Sequence, residues 1–223
     1  MKTIYYYQSF CGLDKIMKDS QNVDNIILSS FHFGKDNNNK SYIHLNDNCP
    51  EDEKFNLVWE QLTKLYYDGV MVTLMIGGAG GGFSELFSDF ETYYNLLKNT
   101  IQKHNFLSGV DLDIEEGVKL NDVKNLINRL VDDFGEDFII TMAPVANSLI
   151  NNTPGMGNFN YNELYKSLEG RHINWFNVQC YGCYNFETYD SIIKNGYPES
   201  KIIFGMISGD FINNFPDALK EIQ

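Results

Sequence analysis

Seven short apolar runs, at residues 3–8, 25–33, 70–76, 109–115, 138–143, 175–181 and 201–207, alternate with longer amphipathic stretches along the chain. Most of these runs are apolar at nearly every position, the pattern of strands covered on both faces. The stretches between them have helical periodicity. Phe55, Val58, Trp59, Leu62, Leu65 and Tyr66 fall at i, i+3, i+4 and i+7, and so do Val123, Leu126, Ile127, Leu130, Val131 and Phe134. Ser88 and Glu91 have the spacing of a capping box ahead of Tyr94, Leu97 and Ile101. Repeated strand–helix alternation predicts a parallel sheet covered by helices, as an open doubly wound sheet or a closed (β/α)8 barrel.

Composition narrows the partners. With 223 residues, 43% of them hydrophobic, the chain can bury one sizeable core, and a single domain over 1–223 is expected. Its 30 acidic and 17 basic side chains give a formal net charge of -13, which repels nucleic acid phosphates and anionic membrane surfaces. That charge makes a neutral or cationic ligand the expected partner, and no apolar run approaches the ~20 residues of a membrane span. The opening MKTIYYYQSF shows no apolar signal-peptide core, and the compartment stays open. Cys11, Cys49, Cys180 and Cys183 are too few for a disulfide framework. Cys180 and Cys183 have C-x-x-C spacing without a second pair, so they read as ordinary thiols, and neither a metal nor a cofactor is expected. The glycine run 77–82 satisfies neither phosphate-loop pattern.

The segment that carries chemistry is Ser108-Gly-Val-Asp-Leu-Asp-Ile-Glu115. It places Asp111, Asp113 and Glu115 at alternate positions of an otherwise apolar strand, and alternate residues share a face. Carboxylates ~6.6 Å apart on a poorly solvated face demand shared protons or strong hydrogen bonds, a cost that points to function.

This segment resembles D-G-x-D-x-D-x-E, the signature of glycoside hydrolase family 18, and departs from it only at Ser108. Met75-Ile-Gly-Gly78, Thr141-Met-Ala-Pro144 and Gln179-Cys-Tyr181 resemble three further family segments, in the family's order, each ending a predicted strand. The resemblance selects the (β/α)8 TIM barrel, whose catalytic groups stand at the C-terminal ends of its strands. It implies a glycosidase acting on β-1,4-linked N-acetylglucosamine in chitin, chitooligosaccharides or N-glycans, by substrate-assisted retaining catalysis. Glu115 is implied as the general acid. Asp113 would hold the acetamido group, Asp111 would support Asp113, and Tyr181 would donate to the acetamido oxygen. Gln179, Gly77, Gly78 and Met142 are implied to line the substrate site. Met75 stands where the family usually has Ser.

The rival expectation is a non-catalytic carbohydrate-binding or inhibitor protein on the same barrel. A barrel of this type usually needs about 250 residues, and residues 215–222 read as a seventh helix with no eighth strand after it. The expectation is therefore a C-terminally incomplete barrel, able to self-associate through its open strand edges.

Overall fold

The computed structural model describes residues 2–207, which form two compact units divided after Asp113. The first contains the strands β1 (Ile4–Tyr7), β2 (Asn25–Lys35), β3 (Ser41–Leu45), β4 (Met71–Gly77) and β5 (Gly109–Asp113). Its helices are α1 (Asp14–Met17), α2 (Asn56–Tyr67), α3 (Phe83–Ser88) and α4 (Phe90–Lys103). Parallel pairing gives the order β1-β2-β4-β5. Ile26, Ile27, Leu28, Val72, Leu74, Val110 and Leu112 are fully buried, as runs apolar at every position require.

Helix α2 seats Val58, Trp59, Leu62 and Leu65, but Tyr66, expected on the same stripe, stays exposed. The capping box does not form. Ser88 belongs to α3 and donates its hydroxyl to the Glu85 carbonyl at 2.8 Å, so α4 starts after Asp89 without a side-chain cap. A further difference is β3, which the strand pattern did not contain. It runs antiparallel to the end of β2, from Phe31 opposite Leu45 to Lys35 opposite Ser41.

One hydrogen bond reports the curvature of this unit. The Tyr6 hydroxyl on β1 donates to Asp111 Oδ2 on β5 at 2.8 Å. With β2 and β4 between them, these strands would lie about 14 Å apart in a flat sheet whose side chains stand perpendicular to it. The unit's sheet must therefore curl, with Tyr6 and Asp111 on its concave side.

The second unit holds α5 (Leu120–Phe134), β6 (Ile139–Met142), α6 (Ala146–Ile150), α7 (Tyr161–Tyr165), β7 (Ile173–Gln179), α8 (Phe186–Lys194) and β8 (Ile202–Gly205). The strands β6, β7 and β8 pair in parallel in that order, and α5 buries Val123, Leu126, Ile127 and Leu130. The segment 215–222, expected to be helical, and the place where an eighth parallel strand would follow lie outside the described residues.

Candidate active site

Alternation along β5 places the candidate residues of the first unit. Val110 and Leu112 are buried on one face, while Asp111 and Asp113, also buried, occupy the other. Asp111 is completely withdrawn from solvent and accepts the Tyr6 hydroxyl. A buried carboxylate needs such donors, because desolvation penalises its charge. Met75 was noted for lacking a hydroxyl, and one reaches Asp111 from β1 instead. Sequence reasoning missed Tyr6. Its only signal was a position in Tyr5-Tyr6-Tyr7 at which one phenol had to face the strand interior.

Glycine lets the backbone close over Asp113. Gly77 pairs with Asp113 across β4 and β5, and the Gly78 N–H donates to the Asp113 carbonyl at 2.8 Å. Both glycines have positive φ, +91° and +81°. A Cβ on Gly78 would stand 2.8 Å from Met75 Cε and 3.4 Å from Asp113 Oδ2, so this backbone faces the carboxylate. Replacing Tyr6 by Phe is expected to lower stability by about 1–2 kcal/mol, because a charge-assisted bond to a buried acid is lost. Urea unfolding measures it, and an unchanged midpoint would show that the bond contributes nothing.

The strand expected over 109–115 ends at Asp113, so Glu115 stands two residues beyond it, partly exposed. In the second unit the Gln179 side-chain amide donates to Glu115 Oε1 at 3.3 Å and to the Ala143 carbonyl at 2.8 Å. A carbonyl only accepts, so the Ala143 bond fixes which end of the amide is nitrogen, and Glu115 Oε1 is the acceptor of the pair. The Gln179 backbone N–H is anchored on the Pro144 carbonyl at 2.8 Å. Gln179 therefore orients the candidate acid. Met142, on β6, is fully buried.

Strand β7 ends at Gln179, so Tyr181, expected at a strand end, instead lies in a β-turn. The Cys183 N–H donates to the Cys180 carbonyl at 3.2 Å, and Gly182 supplies a φ of +75°. Tyr181 is 52% exposed. Burial pushes the Cys180 thiol far above its usual value, so it stays protonated and inert. Phe33 and Phe83 are buried in packing, whereas Phe186 is exposed at the start of α8.

No protein-family model matches the chain, and no curated protein matches its sequence. Solved structures do. A chitinase from Aspergillus fumigatus is 32% identical with a TM-score of 0.83, the match covering 92% of this chain and 77% of that one. A fungal endo-beta-N-acetylglucosaminidase from glycosyl hydrolase family 18 is 30% identical, also with a TM-score of 0.83, over 100% of this chain and 87% of that one. A chitinase-like agglutinin from Robinia pseudoacacia, 15% identical with a TM-score of 0.60 over 92% of this chain and 68% of that one, shares the fold alone. Of the two fold classes that the strand–helix alternation left open, the (β/α)8 barrel selected by the resemblance is thus borne out, with seven of its parallel strands among the described residues. At 30–32% identity over most of both partners, the chain belongs to glycoside hydrolase family 18.

Proposed function

We propose that the chain is a retaining glycosidase that cleaves β-1,4 linkages beside N-acetylglucosamine. The observation that carries this reading is an intact candidate acid, Glu115, held by the Gln179 amide, two residues after the buried Asp113 and four after the buried Asp111. The family's two-carboxylate departure makes the substrate its own nucleophile. Glu115 protonates the glycosidic oxygen as the bond breaks. The sugar's 2-acetamido oxygen attacks the anomeric carbon, giving a cyclic oxazolinium ion. Asp113 accepts a hydrogen bond from the acetamido N–H and balances the developing positive charge, with Asp111 behind it. Tyr181 donates its hydroxyl to the acetamido oxygen. Water then opens the ring with Glu115, now ionised, as the base, and the configuration is retained.

Chitin and the core of an N-glycan share this chemistry, and two structures at 30–32% identity are described as a chitinase and an endo-beta-N-acetylglucosaminidase. The test follows the anomer released from chitopentaose and from a high-mannose glycoprotein by proton NMR. Release of the β-anomer first, from either substrate, is the expected result, and release of the α-anomer would rule the mechanism out. Calorimetric binding of the oligomer without any product would favour a carbohydrate-binding protein, the class of the agglutinin that shares the fold.

A further inference from the structure

The register at the end of the first unit's sheet assigns a face to a residue that the proposed reaction leaves unused. Phe31 of β2 pairs with Ile76 of β4, Ile76 with Leu112 of β5, and one step on Gly77 pairs with Asp113. Level residues on neighbouring strands share a face, and the next residue along takes the opposite one. Phe31, Ile76 and Leu112 are fully buried on the helix side. His32, one residue past Phe31, therefore stands level with Gly77 and Asp113 on the concave side. Ser30, on the same face of β2, agrees: its hydroxyl and Asp113 Oδ2 both lie within 4 Å of a Cβ built on Gly78. Strand spacing puts the backbones of His32 and Asp113 about 10 Å apart, with Gly77 between them.

The imidazole is set in one tautomer. His32 Nδ1 lies 2.8 Å from the Gly81 carbonyl, which can only accept, so Nδ1 carries the hydrogen. In a neutral ring Nε2 is then a bare acceptor, and among the described residues no partner is found for it. The ring also fits against Gly80, where a Cβ would come within 2.6 Å of it. A polyol, whose hydroxyls are donors in search of acceptors, suits this arrangement.

We infer that His32 contacts the glycan, its Nε2 accepting a hydroxyl or amide proton of the sugar bound beside Asp113, while Nδ1–H holds the Gly80–Gly81 segment in place. The inference rests on the glycosidase reading. Asparagine at this position separates its two halves, because its amide N–H can replace Nδ1–H toward Gly81 while nothing replaces Nε2.

The experiment titrates chitopentaose by calorimetry into Glu115→Gln protein, which binds without turnover, with His32 intact or changed to Asn or Ala. The contact predicts binding roughly 3- to 10-fold weaker in both His32 variants. In protein with Glu115 intact, the same change should raise KM and leave kcat within about twofold, as expected when ground and transition states lose the same bond. If His32→Asn binds like its parent and only His32→Ala is weakened, His32 merely positions the glycine segment and the contact is overturned. A folded parent that binds no oligomer overturns the glycosidase reading and the contact with it, an outcome distinguishable from the first.

Discussion

Glu115→Gln is expected to reduce hydrolysis of N-acetylglucosamine oligomers by about 10²-fold or more while leaving the thermal midpoint within a degree or two. The first expectation follows from the role. A carboxyl group that hands its proton to a leaving oxygen contributes typically 10²–10⁴ in rate, and an amide of the same shape has no proton to give at neutral pH. The second follows from the surroundings. Glu115 is partly exposed, and its described bond is one it accepts from the Gln179 amide at 3.3 Å, which a glutamine oxygen accepts equally well. The side-chain volume is unchanged, so no cavity opens. Steady-state rates on a chromogenic oligomer, read beside a melting curve, decide it. Equal rates for the two proteins would remove Glu115 from the chemistry, and a rate loss matched by a large fall in midpoint would make the effect structural.

The largest loss of stability is expected from Gly77→Ala, at about 2–5 kcal/mol. Two penalties add. An L side chain at a φ of +91° costs about 1–2 kcal/mol. The new methyl would also fall 2.4 Å from the Asp113 carbonyl oxygen and 2.5 Å from the Phe83 ring. Neither neighbour yields readily: the first is backbone of β5, and the second is a fully buried aromatic, so overpacking adds about 1–3 kcal/mol. Gly69→Ala supplies the comparison. Its φ is +93°, yet a methyl there meets nothing within 4 Å, so only the conformational cost of about 1–2 kcal/mol applies. Urea unfolding of both variants separates the two contributions, and equal losses would show that the approach of Gly77 to Asp113 exerts no steric demand.

Much of this architecture could be read from residue order because two of its signals are local. A strand buried on both faces is apolar throughout, so β2, β4, β5, β6 and β7 were visible, and a period of two along β5 separates the acids from Leu112. Ser41–Leu45 escaped because it alternates weakly, with only Ile43 and Leu45 buried, and takes its definition from pairing with β2. The capping-box spacing at Ser88 misled for another reason: the same hydroxyl had a carbonyl within reach one turn back. At the site, acid positions were legible but their donors were not. Tyr6 reaches Asp111 across 105 residues, and Gln179 reaches Glu115 across 64, so both bonds depend on the folded sheet. Gln179 was assigned to the sugar pocket, and its bond to the acid needed coordinates to appear.

The Tyr6–Asp111 bond also ties the candidate chemistry to a strand of only four residues. Among the described residues β1 has four positions and pairs only with β2, and Tyr5 and Tyr6 remain exposed. Local opening has free energies from near zero up to that of global unfolding, and a four-residue strand has few ladder hydrogen bonds to oppose it. Each such excursion withdraws the Tyr6 hydroxyl from a carboxylate that has no exposure of its own. Fraying of the first strand is therefore felt by the acid ladder, and hydrogen exchange at the β1 amides should rise in the same sub-denaturing urea range in which activity starts to fall.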